Sequence, residues 1–157
     1  MNKLLGIVVL GLLWCNVSFA DNLKVIDGDT IVLNGEKIRF SGIDAPEYNQ
    51  DCMNGDTKVF CGVFAMVLLT KKIGGKKLKC IKEGRDVYGR TLAECFVNGE
   101  SLSSFLVRHG YAFAYRKYSK KFIKDEEYAK KNKIGMWVME FEFPWNFRKN
   151  KSKRALS

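Results

Sequence analysis

Short apolar stretches alternate with polar breaks along this chain, and the period of the alternation changes from one stretch to the next. Leu4 to Trp14 is an unbroken apolar run behind Met1-Asn2-Lys3, too short for a bilayer span, which takes about 18 or more apolar residues. Followed by Ser18-Phe19-Ala20, it has the layout of a secretory signal peptide over residues 1–20, with cleavage expected after Ala20. Leu23 to Ile26, Thr30 to Leu33 and Lys37 to Ile43 are β-rich segments separated by Asp27-Gly28-Asp29 and by Asn34-Gly35, a strong hairpin signal, so they predict a meander.

Residues 48–56 are polar and turn-rich and read as a loop. Thr57 to Ile73 predicts a mostly buried helix, with Phe60, Phe64, Val67 and Leu68 on its inward stripe, stopped by Gly74-Gly75. Leu78 to Lys82 and Thr91 to Val97 predict two strands flanking the turn Arg85 to Arg90. Helices are expected from Ser101 to His109, with the His109 imidazole suited to the helix end, and from Lys120 to Lys133. In the tail, Phe141, Phe143, Trp145 and Phe147 alternate with Glu140, Glu142, Pro144 and Asn146, which predicts an extended segment laying one apolar side on the domain. The basic end from Arg148 would then be left to touch nucleic acid.

Strands in short-turn runs, with a helix inserted after the third and two at the end, predict an α+β domain over residues 21–137. Its expected form is a five-stranded OB-like β-barrel with about three helices, followed by an aromatic and basic extension over 138–157.

Composition sharpens this picture. The 157 residues are 46% hydrophobic and 28% charged, a globular balance that excludes long disorder. The formal net charge is +10, and loss of the leader removes only Lys3, leaving 26 basic and 17 acidic side chains. Nucleic acid, anionic lipid or an acidic protein would be drawn to such a surface. Beyond the leader stand Cys52, Cys61, Cys80 and Cys95, which in an exported chain imply two disulfides. Zinc is disfavoured, because no C-x-x-C pair occurs and the single histidine, His109, is remote. That single histidine also excludes a two-histidine acid-base ribonuclease.

Against the basic background, Asp27, Asp29, Asp44 and Glu47 surround Arg39 within one short stretch. Each acid taken alone suits a turn. Together with Arg39 and Arg90 they supply what phosphodiester hydrolysis needs: oxygens for a hard cation such as Ca²⁺, two guanidinium forks for phosphate, and a carboxylate for water.

Val25-Ile26-Asp27-Gly28-Asp29-Thr30, Arg39, Ile43-Asp44-Ala45-Pro46-Glu47 and Asp86-Val87-Tyr88-Gly89-Arg90 stand in an order and spacing that resembles the staphylococcal nuclease family. The resemblance runs from Leu23 to Trp137, through Leu106 to Gly110 and Ala129 to Trp137. It implies Ca²⁺ held by the Asp29 and Asp44 side chains and the Ala45 carbonyl, with Asp27 holding metal-bound water. Arg39 and Arg90 would grip the scissile phosphate, and Glu47 would orient or deprotonate the attacking water. Tyr88 would lie near the terminal phosphate, and Tyr115 and Tyr118 would line a base pocket. The chain departs from the pattern at Val87, where the staphylococcal type has a lysine, in a spacing of Tyr115 and Tyr118 one residue wider, and in the tail from Val138.

The expectation is therefore a monomeric, secreted or periplasmic, Ca²⁺-dependent nuclease acting on DNA and RNA and leaving 3′-phosphates. Its rivals are a catalytically inactive OB-fold protein that binds nucleic acid without cutting, and a disulfide-stapled cationic protein. A hairpin centred on Val87-Tyr88 sets Cys80 opposite Cys95, leaving Cys52 and Cys61 to close the loop before the first helix.

Overall fold

A computed structural model of the chain describes residues 22–155; the expected leader, residues 1–20, lies outside them. A mixed sheet runs in the order β1 (Leu23–Val25), β2 (Thr30–Leu33), β3 (Glu36–Phe40), β8 (Thr91–Val97) and β7 (Leu78–Arg85), with β9 (Glu100–Ser101) also on β8. The first three strands are the expected antiparallel meander, turned at Asn34 and Gly35, both at positive φ (51° and 83°). β3 pairs with β8 in parallel, from Ile38 opposite Thr91 to Phe40 opposite Ala93. Among the described residues β7 does not pair back to β1, so the ladder stays open and backbone pairing does not close the expected barrel.

β7 and β8 keep the expected register, with Cys80 opposite Cys95, as far as Lys82 opposite Ala93. A bulge between Lys82 and Gly84 then sets Arg85 opposite Thr91, re-aiming the turn that carries Arg90. Disulfides join Cys80 to Cys95 and Cys52 to Cys61. Each such bridge contributes about 2–4 kcal/mol, largely by restricting the unfolded chain.

The stretch read as a loop contains a hairpin, β5 (Cys52–Asn54) and β6 (Thr57–Val59), so helix α1 begins later than expected and spans Cys61–Ile73. Its inward face is also corrected. Phe60, Phe64 and Val67 are exposed, whereas Cys61, Gly62, Ala65, Leu69 and Ile73 are buried. The reason is space: the backbone of the β1–β2 turn approaches so closely that a β-carbon on Gly28 would come within 2.8 Å of the Ala65 β-carbon. Opposite Gly28 only a small residue such as Ala65 fits, and Leu69 and Ile73 enter the core further along the helix.

Helices α2 (Leu102–Arg108) and α3 (Ile123–Lys131) match the two expected ones, each slightly shorter. The Ser101 side chain caps α2 by accepting from the Ser104 amide, and His109 Nδ1 lies 2.7 Å from the Phe105 carbonyl oxygen. The main core lies between the sheet (Ile31, Ile38, Phe40, Ala93, Val97), α1 (Leu69, Ile73) and α2 (Leu102, Leu106, Val107).

Beyond a 3-10 turn (Gly135–Val138), the tail does not stay extended. Phe141 and Phe143 are outside regular structure, but Pro144–Arg154 forms helix α4 with Pro144 in its first turn, a position for which proline's fixed φ is suited. The aromatics do pack inward, in a second cluster. Phe113, fully buried, is surrounded by Trp137, Phe141, Phe143 and Trp145, with ring centroids at 5.0–6.2 Å. Phe113 belongs to β10 (Phe113–Ala114), which pairs with β4 (Ile43–Asp44) so that Phe113 stands opposite Asp44. The tail thereby packs on the residue that stands opposite one candidate ligand.

Candidate active site

Two turns deliver the acids. In the β1–β2 turn the Asp27 carboxylate accepts from the Asp29 amide at 3.1 Å, which orders Asp29. The Asp29 side chain is buried and accepts from the Ala45 amide at 2.6 Å and from the Thr30 hydroxyl at 3.1 Å. Asp44 is fully buried at the end of β4. Arg39, from β3, lies between them: one terminal nitrogen pairs with Asp29, and the other donates to Asp44 Oδ1 at 2.7 Å and to the Ile43 carbonyl at 3.3 Å. Burial pulls the Arg39 guanidinium below the usual arginine range, against the opposing pull of Asp44 and Asp27. Burial also raises Asp27 above the usual carboxylate range, although Arg39 and Thr30 act against it.

Glu47 sits where the chain leaves Pro46. Its amide donates to the side chain of buried Gln50 at 3.2 Å, and the Gln50 amide group donates in turn to the Glu142 carbonyl at 2.5 Å. The Gln50 carbonyl accepts from the Gly62 amide at 3.0 Å, so this loop is tied both to α1 and to the tail. Arg90 is held differently, in an exposed turn. The Asp86 carboxylate accepts from Arg90 Nε at 2.7 Å, and from the Arg90 and Tyr88 amides at 2.9 Å each.

These side chains line one open cleft of about 1160 Å³, with Asp27, Asp29, Arg39, Glu47 and Arg90 on its walls together with Tyr88, Tyr115 and Tyr118. Asp44 and Ala45 lie just beneath the wall. Tyr88 is 82% exposed and Val87 93% exposed, so the turn projects past the cleft rim. Tyr115 is stacked on Trp145 of α4, centroids 5.6 Å apart and planes 4° apart, and meets Tyr118 edge-on at 4.9 Å. The two tyrosines are thus adjacent, and one face of Tyr115 is covered by the tail.

One residue of this cleft was not foreseen. Arg148, expected in a basic end left for nucleic acid, reaches the cleft from α4. It donates to Asp44 Oδ1 at 3.1 Å, Asp44 Oδ2 at 2.8 Å and Glu47 Oε1 at 2.8 Å. Burial alone would lower its proton affinity, but these bonds raise it above the usual arginine range. Pro144 was the available signal. Proline followed by an uninterrupted run reads as a helix start, and a helix puts Arg148 one turn from Trp145, on the inward side.

Among the described residues, no group of three or more His, Cys, Asp and Glu side chains is arranged to hold a metal ion. The donor set is two carboxylates and a carbonyl: Asp29 and Asp44 are close enough to share one guanidinium, and Ala45 is hydrogen-bonded to Asp29. All-oxygen donors with room for water and phosphate suit a hard cation. Among the described residues no helix is long and apolar enough to cross a membrane.

Comparison with known proteins gives the chain's relatives. Residues 37–139 match the model of the family described as staphylococcal nuclease homologue. The chain is 34% identical over 118 residues to the staphylococcal-like nuclease CAN1 of Arabidopsis thaliana, covering 73% of this chain and 34% of that protein. It is 32% identical over 118 residues to the succinoglycan biosynthesis protein ExoI of Rhizobium meliloti, covering 73% and 62%. It is 29% identical over 123 residues to an uncharacterized endonuclease of Haemophilus influenzae, covering 74% and 64%. The chain therefore spans a third to just under two thirds of these relatives. The family match covers residues 37–139, and the chain belongs to the staphylococcal nuclease family.

Proposed function

We propose that the protein is an exported nuclease, acting as a monomer on an OB-type frame, that hydrolyses phosphodiester bonds of DNA and RNA with Ca²⁺ as cofactor and leaves 3′-phosphate ends. The observation that carries this reading is Arg39 joining Asp29 and Asp44 in the cleft whose walls also bear Glu47 and Arg90. A module that only binds phosphates gains nothing from acids beside them.

Asp29, Asp44 and the Ala45 carbonyl would hold the cation, with Asp27 ordering its water. When bound, it would supply a positive charge against which a phosphoryl oxygen is polarised. The chain's own groups do the rest. Arg39 and Arg90 approach the phosphate as planar forks, matching charge that gathers on its equatorial oxygens. Glu47 accepts the proton of the attacking water, which enters in line with the departing 5′ oxygen. Tyr88 would lie near the terminal phosphate, and Tyr115 and Tyr118 would line a base pocket; contacts to phosphate and stacked bases would give loose base specificity. The names of CAN1 and the Haemophilus protein support the reading at the level of nuclease.

Purified protein incubated with plasmid DNA and with RNA, in Ca²⁺ and in excess chelator, tests it. Cleavage of both polymers in Ca²⁺ alone is expected. Binding without cleavage under every cation supplied would overturn it.

A further inference from the structure

The C-terminal extension reaches back to the acids of the cleft. Arg148 is separated from Asp44 by 104 residues and from Glu47 by 101, yet its guanidinium holds both carboxylates at once. A single nitrogen, Nη1, donates to Asp44 Oδ1 and to Glu47 Oε1, while Nη2 takes the second oxygen of Asp44. Two carboxylates side by side repel; one planar fork shared between them removes that repulsion and fixes their separation. The guanidinium is itself fixed, because α4 is anchored by Trp145 on Tyr115 and by the Phe113 cluster.

We propose that Arg148 is a positioning residue of the active site, built in by the C-terminal helix to hold the Glu47 carboxylate in place beside Asp44. This rests on the nuclease reading above. The two halves of the contact have different consequences. On Asp44, Arg148 takes oxygens that would also hold a cation, so its positive charge would oppose metal binding there. On Glu47, which is not among the metal's oxygens, the bond to Oε1 leaves Oε2 to meet the attacking water. Removal of Arg148 must therefore move two readouts in opposite senses: metal binding tightens while turnover falls.

The test compares the parent with Arg148→Ala and Arg148→Lys as full-length mature protein. Ca²⁺ binding is measured by calorimetry without substrate, kcat and KM on DNA at saturating Ca²⁺, and folding by thermal melting. In Arg148→Ala we expect several-fold tighter Ca²⁺ binding, kcat lower by ~10–100-fold and little change in KM, the size of effect seen when a partner orienting a site group is lost. Arg148→Lys should recover only part of the kcat, since an ammonium can bridge the two carboxylates but lacks the planar second nitrogen that takes Asp44 Oδ2. Millimolar guanidinium should restore part of the kcat of Arg148→Ala and none to the parent.

A rise in kcat would make Arg148 a plug and overturn the proposal. Unchanged kcat with raised KM would make it a phosphate contact, and weakened Ca²⁺ binding would make it structural; either overturns it. A parent that neither binds Ca²⁺ nor cleaves defeats the nuclease reading itself, and that result is read before any variant is compared.

Discussion

Gly62 lies directly against the backbone of Glu47: a β-carbon on it would stand 1.7 Å from the Glu47 carbonyl oxygen and 2.8 Å from that of Tyr48. The obstacle is main chain, which cannot swing aside. Gly62→Ala should destabilise the fold by about 1–3 kcal/mol through overpacking. It should also lower kcat by displacing the Glu47 loop. Urea unfolding and steady-state kinetics check the two effects, and full activity in a stable Gly62→Ala protein would show that the loop position is immaterial.

Arg39→Lys and Arg90→Lys keep the charge and lose the fork. Each should lower turnover by ~10²–10³ while leaving most DNA affinity, because the second hydrogen bond matters most where charge has gathered. Arg39→Lys should also loosen the pairing with Asp29 and Asp44 and so melt earlier, whereas Arg90, out in its turn, should not. Kinetics and thermal melts on both variants separate these roles.

Asp29→Asn and Glu47→Gln should fail in different ways. Asp29→Asn can still accept the Ala45 amide, so the fold survives, but one ligand charge is gone and far more Ca²⁺ should be needed. Glu47→Gln should leave Ca²⁺ affinity nearly intact and turn over slowly. With only two carboxylates and a carbonyl, the parent's affinity is expected at about 10⁻⁴–10⁻³ M, the range of extracellular calcium sites. Calcium titrations of activity decide this, and an Asp29→Asn protein with unaltered Ca²⁺ dependence would remove the metal site.

Acid should loosen the molecule through Asp86 and Glu36. Burial pushes Asp86 up, but hydrogen bonds from Arg90 and the Tyr88 amide outweigh it and hold the carboxyl below its ordinary value of 3.8. Hydrogen bonds from Lys82 and Thr91 likewise hold Glu36 below 4.5. A carboxyl depressed in the folded state stabilises above its unfolded pKa, and that stabilisation disappears as pH falls through the folded one. Melting temperature should therefore drop from about pH 4.5 downward, and less steeply in Asp86→Asn. Melts between about pH 6 and pH 2 test it.

Deletion of residues 149–157 removes Lys149, Lys151, Lys153 and Arg154 but keeps Arg148 and the aromatic cluster. It should leave the fold intact, weaken DNA binding and flatten its salt dependence. Deletion from Phe141 strips Phe141, Phe143 and Trp145 from Phe113, and single truncations of such rings already cost about 3–5 kcal/mol. Equal melting temperatures for the longer deletion and the parent would show that the cluster does not hold the tail.

What could be read beforehand follows physical range. The β7–β8 register was legible because a hairpin fixes it locally, and Cys80 and Cys95 marked the same pair. The turn acids and Arg39 were legible because they crowd into one stretch. The inward face of α1 was not, because hydrophobicity favoured Phe60 and Phe64 while close approach of Gly28 demanded Ala65. The tail misled for a similar reason: alternation over a few aromatics imitated a strand, and Pro144 starting a helix carried more weight. Arg148 on Asp44 joins the two ends of the domain, and no local pattern encodes it.

The clasp of the tail on Glu47 and Asp44 bears on the order of assembly. Met53 is bridged to Glu140, Gln50 to Glu142 and Asp44 to Arg148, at separations of 92 residues for Gln50 and 104 for Asp44. Contacts so distant in sequence form late, after the sheet and α1 have brought their partners near. A chain emerging from its N-terminus has its acids and Arg39 long before it has Arg148. The contacts to Asp44 and Glu47 are thus completed by a segment made about a hundred residues after the acids, and a polypeptide that lacks it carries the carboxylates without Arg148.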